Sequence, residues 1–500
     1  MAKNKKQKKL LSPIITMIIL IIVTSIISFL LSLLNISANA TSIANGSLET
    51  SIVSIQNIFS RDGIVYFFSN IITNFNILEP FVLLVISMMA ASIAKASGIL
   101  KHIFTPFKNI KSNVLTFMVV FIGIISSIIG DYSYIILLPF VAVMYEYINK
   151  SPVLGIVTMF LGITLGYGTG FIHGYNDYAL GLLTQSAAIV DVDATYRYSL
   201  QSDLYIMIAS TIAISLLITM LIEKYLSKRL TTSETFTDEL VTSKKALVLA
   251  GIVNLMTFIL ILILILPNGI LLDASQTEYV AKLFSPNAPF NLSCIFIFLF
   301  ITSITSIVYG IISKNFKNNH EISWGFTRYF DNIGYIFAML FLGSVLIGII
   351  DWTNLGTLVS IKLLDLIELF DLTGIPLIII SFTCIIFMSI LMPNSLEKWH
   401  LISPILVPLF MRGNLTPDFA QFVFKAADSV GKVITPVFIY FIVMVGFIQK
   451  YNIKENKVTL FNTMKLIWPI IITMIAFWLL ILIIWYVAGL PLGIGSLATM

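Results

Sequence analysis

Met392-Pro393-Asn394-Ser395-Leu396-Glu397-Lys398-Trp399-His400 breaks a strongly apolar run, and a second apolar run, Leu401 to Met411, follows at once. Still within residues 388–436, Phe424-Lys425-Ala426-Ala427-Asp428-Ser429-Val430-Gly431-Lys432 then leads into Thr435-Pro436. Charged groups are expensive at membrane depth, so keeping Glu397, Lys398, Lys425, Asp428 and Lys432 among such segments marks this region as the working site. The rest of the chain reads as scaffolding for it.

Of 500 residues, 58% are hydrophobic and 11% charged, with a mean hydropathy of +0.97. That lies outside the range of soluble globular domains and describes an all-α polytopic membrane protein. The apolar segments are long enough to cross a hydrocarbon core of roughly 30 Å as helices. They are solid Ile/Leu/Phe/Val blocks, which excludes the short alternating strands of a β-barrel.

The net charge of +5 matters less than where the lysines fall. Lys3, Lys5, Lys6, Lys8 and Lys9 place the N-terminus in the cytoplasm by the positive-inside rule. Ala38-Asn39-Ala40 imitates a signal-peptidase site, but the apolar stretch Leu10 to Leu34 exceeds a signal core, so an uncleaved first helix is expected. Residues 35–76 form a Ser/Asn/Thr-rich loop with an amphipathic stretch near Ile64 to Ile72. A span near 78–94 ends at Lys95, Lys101, Lys108 and Lys111, an inside cluster.

Residues 114–149 are apolar but broken at Gly130-Asp131-Tyr132-Ser133-Tyr134, and hydropathy leaves open whether they cross once or twice. From Val153 the chain becomes glycine-rich through Gly162, Gly166, Gly168, Gly170 and Gly174 before Asn176-Asp177. A glycine-laced pair of short segments with an acid at the turn reads as a re-entrant hairpin, near 153–190, because irregular backbone survives at membrane depth only where protein or a watery cavity satisfies it. Further spans fall near 204–223, 246–266, 291–313, 332–350, 433–449 and 464–488, with a half-amphipathic region from Asp351 to Asp371. A second hairpin is expected near 374–412. The polar stretch after Glu223, with residues 231–245 as a cytoplasmic linker, divides an N-terminal half (1–230) from a C-terminal half (246–500). About nine crossings with one interrupted pair in each inverted-repeat-like half point to a transporter with a midplane site.

Each constellation has a bland and a functional reading. Asp177, beside Asn176, either binds substrate, proton or cation, or merely caps a helix. Asp131 is a loop acid or part of a proton path. Lys425, Asp428 and Lys432 share one helix face, where an internal ion pair leaves one cation free for a carboxylate or the trio neutralises itself. Glu397, Lys398 and His400 flank Trp399 and suit a water-exposed hairpin mouth. Trp399 either belongs to an interfacial aromatic belt or stacks on a ligand. No GxxxxGK[ST], HExxH or GxSxG motif occurs, and His102, His173, His320 and His400 are scattered, so ATP hydrolysis, a metal site and enzyme chemistry are not expected. Cys294 and Cys384 suit neither a disulfide nor a metal. No nucleic-acid partner and no cofactor are expected.

At these residues the chain resembles the AbgT family of p-aminobenzoyl-glutamate transporters and antimetabolite exporters. The motifs are Gly130-Asp131-Tyr132-Ser133-Tyr134 through Leu138-Pro139, Asp177-Tyr178-Ala179-Leu180-Gly181-Leu182-Leu183-Thr184-Gln185, Asp351-Trp352-Thr353-Asn354-Leu355-Gly356-Thr357, Lys398-Trp399, Asp428-Ser429 with Ile434-Thr435-Pro436, and Ile484-Trp485-Tyr486 through Gly489-Leu490-Pro491-Leu492-Gly493. They run in family order over nearly the whole chain. The resemblance implies a homodimer of subunits with nine membrane helices and two re-entrant hairpins, working by secondary transport on a proton or sodium gradient without ATP. It carries site roles onto Asp177, Trp399, Pro417 and Asp428, and puts Lys425 where the family has arginine, which keeps the charge but loses the bidentate fork. The family serine three residues before the tryptophan becomes Leu396, with Ser395 or Asn394 as replacement hydroxyl or amide, and its Ser-Ala-Asn becomes Gly168-Thr169-Gly170.

The resulting expectation is a multi-pass transporter in the cytoplasmic membrane for an amphipathic organic anion, an aryl-glutamate or sulfonamide-like drug. Lys425 draws the carboxylate, Trp399 packs on the aromatic part, and Asp177, Asp428 and Asp131 serve a coupling H+ or Na+. The alternatives are a carrier of another carboxylate or peptide on the same architecture, and a membrane scaffold.

Overall fold

A computed structural model describes residues 11–44, 46–230, 238–330, 333–451 and 459–500. The N-terminal lysine tract and residues 231–237 of the linker lie outside the described residues. The first half comprises α1 (Pro13–Ser32), a β-hairpin of β1 (Ser37–Ala44) and β2 (Ser47–Ser54), α2 (Arg61–Asn76), α3 (Glu79–Ser97), α4 (Ile99–Phe104), α5 (Ser112–Ile125), α6 (Tyr132–Tyr147), α7 (Pro152–Leu165), α8 (Tyr175–Asp191) and α9 (Leu204–Leu221). The second comprises α10 (Lys244–Ile265), α11 (Tyr279–Phe284), α12 (Pro289–Ile312), α13 (Asn319–Gly325), α14 (Ile333–Trp352), α15 (Leu355–Leu369), α16 (Gly374–Leu391), α17 (Ser395–Arg412), α18 (Pro417–Gly431), α19 (Ile439–Tyr451) and α20 (Leu460–Val487), then β3 (Pro491–Gly493) and β4 (Ser496–Leu497). The loop read at 35–76 is thus a β-hairpin followed by a helix. It docks on the turn between α14 and α15 through Gln56 N–H to Thr353 O at 3.0 Å and Asn354 Nδ2 to Ser54 O at 3.0 Å.

Local chemistry starts the helices where the sequence changes character. Ser12, Ser60, Ser243, Thr416 and Thr459 cap α1, α2, α10, α18 and α20 with their side chains, and Pro152, Pro289 and Pro417 take the first-turn position that needs no N–H donor.

The two ends of the helix array differ in charge. At one end Lys95 pairs with Glu146, Lys101 with Asp238, Lys450 donates to Tyr329 O at 3.2 Å, and Glu223 accepts from Ser112 (3.0 Å) and Thr116 (2.5 Å) while Lys150 donates to Ser112. These contacts gather the ends of α3, α5, α6, α9 and α19. At the other end Arg412 pairs with Asp191, Tyr196 donates to Asp418 at 2.6 Å, and the strands after α20 dock through Thr416 N–H to Ala498 O.

These ends fix the path of every element around the site. The helices α5 and α6 start and finish at the lysine-rich end, so 112–147 is a re-entrant hairpin that crosses neither once nor twice. Its counterpart, α16 with α17, enters from the opposite end with its tip at 392–394, as the sequence indicates. The pair α7–α8 instead runs from the lysine-rich end to the opposite one, so the hairpin expected at 153–190 is a broken crossing, the break being residues 166–174. At 14 residues α7 is about 21 Å long, too short to span alone. The second broken crossing is α18–α19, bent by 40°. Together with the unbroken α1, α3, α9, α10, α12, α14 and α20, this path gives nine crossings and two hairpins among the described residues, although residues 112–129 and α16 are by length and composition apolar enough to span. Packing repeats between halves: α5 lies on α7 and α9 as α16 lies on α18 and α20, and α6 packs on α19 as α17 packs on α8.

Close approach of α5 and α7 depends on two glycines. A Cβ on Gly162 would meet Val120 O at 2.9 Å, and one on Gly123 would meet the Gly162 carbonyl carbon at 3.1 Å. Small residues let membrane helices approach backbone to backbone, where dispersion replaces the missing hydrophobic drive. Gly162→Val therefore costs about 1–3 kcal/mol by overpacking, and thermal unfolding of the detergent-solubilised protein is expected several degrees lower, with Gly162→Ala intermediate. An unchanged midpoint for Gly162→Val contradicts this contact.

Candidate functional site

Four interruptions meet at mid-depth: the tips of both hairpins and the breaks of both crossings. Ser127 Oγ, at the first tip, donates to Thr169 O in the first break at 2.8 Å, and Thr435 Oγ1, in the second break, donates to Ile390 O next to the second tip. Gly168 has φ +78°, and a Cβ there would lie 2.6 Å from the Lys425 Cβ. The first break can therefore lie directly on the stem of that lysine only because residue 168 is glycine.

Asp428, wholly buried on α18, sits at the centre of one charge cluster. Its Oδ1 accepts from Lys398 Nζ at 2.5 Å and Ser389 Oγ at 2.9 Å, and its Oδ2 from Ser395 Oγ at 2.6 Å and Lys432 Nζ at 3.0 Å. Lys398 also donates to Met392 O at the hairpin tip, 2.9 Å away, and Lys432 to Ser395. The Lys432 ammonium lies 4.0 Å from the centroid of the Tyr167 ring, a cation–π contact from the first break. Two ammonium groups thus face one carboxylate. Lys398, expected at a wet hairpin mouth, is fully buried because α17 turns it onto Asp428, while Glu397 and His400 on the other faces stay exposed.

Lys425, one turn earlier on α18, does not pair with Asp428. It crosses to the N-terminal half, reaching Asp203 Oδ2 at 2.5 Å and Asp177 Oδ1 at 3.0 Å. The expected ion pair within the Lys425, Asp428 and Lys432 face therefore forms only between the last two, and Lys425 is not a free cation. Asp177 also accepts the Gly174 N–H at 3.0 Å, so its capping and site readings hold together. His173 Nε2 lies 2.7 Å from the other Asp203 oxygen. Here one ammonium faces two carboxylates.

Trp399 is wholly buried, not part of an interfacial belt. Its Nε1 donates to Thr184 Oγ1 at 2.9 Å, Thr184 donates to Gln421 Oε1 at 2.6 Å, and its ring packs on Phe424 with centroids 4.5 Å apart. Phe424 also lies 5.7 Å under the Lys398 ammonium, so the aromatic pair borders the cationic cluster. Asn176 lies against Gly130 of the first tip. Asp131 lines a separate cavity of about 380 Å³ with Asp351, Glu397, Asn394 and Tyr440. Pro417, at the first turn of α18, is two turns from Lys425 and beside the C-terminal strand, outside both clusters. Among the described residues no group of three His, Cys, Asp or Glu is placed to hold a metal ion.

Sequence reasoning missed Asp203, His173, Ser389 and Tyr167. Asp203 stands immediately before an ordinary apolar span and His173 was one of four scattered histidines. Only folding α9 and the first break against α18 brings them together. A lone acid abutting a span that otherwise carries no charge is the signal that was available.

The family model for the AbgT putative transporter family matches residues 4–500. The p-aminobenzoyl-glutamate transport protein of Escherichia coli (strain K12) is 26% identical over 468 residues, covering 92% of this chain and 90% of that protein. Two solved structures share the fold with a TM-score of 0.50 each: the Alcanivorax borkumensis YdaH transporter, 20% identical with 97% of this chain and 100% of that one covered, and Neisseria gonorrhoeae MtrF, described with a class of antimetabolite efflux pumps, 23% identical with 98% of each covered. The chain, a multi-pass helical membrane protein with its charged groups gathered at the breaks, belongs to the AbgT putative transporter family.

Proposed function

We propose that this protein is a secondary active transporter of aromatic or amphipathic organic anions, p-aminobenzoyl-glutamate-like compounds or sulfonamide-type antimetabolites, driven by a proton or sodium gradient across the cytoplasmic membrane. The observation that carries this is the surplus of one cation in the buried cluster of Lys398, Asp428 and Lys432. Two buried ammonium groups that share one carboxylate are only partly compensated, the acids around Lys425 being the next charges out, and a substrate carboxylate arriving between hairpin tip and break completes the pairing. The role first given to Lys425 passes to Lys398 and Lys432, since Lys425 already serves two acids. Trp399 and Phe424 supply the adjoining aromatic surface, and a structural scaffold would have no use for a charge surplus at its centre. The coupling ion falls to the acidic side, Asp177 and Asp131, with Asp428 orienting the anion site. The lysine-rich end faces the cytoplasm by the positive-inside rule, and the subunit works as a homodimer, as the family resemblance implies.

A second reading, a carrier of another carboxylate or a peptide-like substrate, is favoured by one observation. Ser395, which would replace the family serine at Leu396, gives its hydroxyl to Asp428 and takes Lys432, so it is not free for a ligand.

Reconstituted vesicles loaded against labelled p-aminobenzoyl-glutamate and a labelled sulfonamide decide between these. Flux of at least one, abolished when either the proton or the sodium gradient is collapsed, is expected; no gradient-dependent flux of either compound removes this substrate class. Lys432→Gln removes a charged hydrogen bond worth about 1.5–3 kcal/mol, so the half-saturation concentration for the anion is expected to rise at least tenfold in a protein of normal size-exclusion profile. An unchanged value excludes Lys432 from the anion site. Trp399→Ala is expected to weaken an aryl-glutamate far more than free glutamate, and an equal loss for both argues against aromatic packing there.

A further inference from the structure

The Lys425 cluster raises the opposite problem to the Asp428 cluster. With one ammonium against the carboxylates of Asp177 and Asp203, it is short of one positive charge, and Lys425, Asp203 and His173 are buried. Its neighbour is His173, whose Nε2 sits 2.7 Å from Asp203 Oδ1. A carboxylate only accepts, so Nε2 carries the hydrogen, and the lone pair of a neutral ring is left on Nδ1. The one hydrogen bond described for this ring is the one through Nε2.

The groups around this imidazole come from every packed element. Asp203 stands just before α9, its side chain making no capping bond, and Asp177 stands on α8, where the Tyr198 hydroxyl donates to the Asp177 backbone carbonyl at 3.2 Å. Lys425 comes from α18. The first hairpin meets this loop through backbone, Ile128 O lying where a Cβ on Gly174 would be, and its only nearby acid, Asp131, lines the separate cavity. Imidazole is the side chain whose ordinary charge change falls between about pH 5 and 8.

We infer that His173 is a protonation site of the transporter: a proton taken at Nδ1 makes the imidazolium, brings the Lys425–Asp177–Asp203 cluster to neutrality, and locks the break of residues 166–174 to α9 and α18. Because Tyr167 in the same break lies over Lys432, loading the proton and holding the anion act on one segment. The coupling part of this inference rests on the anion reading above; the protonation itself does not.

The test titrates the purified full-length parent and H173Q side by side, without ligand, between pH 8 and 5, and then measures p-aminobenzoyl-glutamate binding across the same range. Gln keeps a donor toward Asp203 but cannot titrate; H173N serves if H173Q does not purify as a folded protein. The parent is expected to bind about one more proton than the variant, and its Kd to change by up to tenfold per pH unit while that of the variant stays flat. Identical proton titrations overturn the inference whatever the anion does. A proton difference with equal pH slopes for binding overturns the coupling. A proton difference with no anion bound by the parent at any pH leaves the protonation site standing and sinks the anion reading instead.

Discussion

Breaking a helix at membrane depth exposes backbone groups that lipid cannot satisfy, so every interruption has to be closed by another part of the protein. Among the described residues there are four, closed by neighbouring parts of the protein: Ser127 on Thr169, Thr435 on Ile390, Lys398 on Met392, and the stem of Lys425 against Gly168. The charged side chains follow from this constraint. Carboxylates and ammonium groups can be buried there because neighbouring breaks supply hydroxyls, carbonyls and opposite charges in a space that excludes lipid.

The two clusters divide this work between the halves. Asp428 gathers residues of α16, α17 and α18, all in the second half, with Tyr167 as the visitor from the first. Lys425 does the reverse, leaving α18 for α8 and α9. Opposite charge surpluses within one short helix make the centre neutral as a whole while leaving each cluster one charge from balance. Trp399 to Thr184 to Gln421 is a further strap across the same boundary. Motion of one half against the other therefore disturbs the Lys425 pairs and the Trp399 bond before the Asp428 cluster, which holds its own partners.

Much of the fold was legible because hydropathy, lysine placement and glycine spacing are direct records of the bilayer. The hairpin at 374–412 follows from Met392-Pro393-Asn394 between two apolar runs. The one at 112–147 was mistaken because Gly166 through Gly174 is a more conspicuous interruption than Gly130-Asp131, although interruption alone does not tell a hairpin from a broken crossing. That distinction depends on which end each helix leaves from, seen only when Lys150 meets Ser112 and Asp191 meets Arg412. At the site, the residue types were legible on α18 but not their partners. Spacing of three and seven residues says that Lys425, Asp428 and Lys432 share a face, while Lys425 found two acids 222 and 248 residues away in sequence.

The most direct test is a structure with p-aminobenzoyl-glutamate bound. A substrate carboxylate is expected within hydrogen-bonding distance of Lys432 or Lys398, the aromatic ring against Trp399 or Phe424, and Lys425 still held by Asp177 and Asp203. A carboxylate seated on Lys425 with those two acids displaced would contradict this placement.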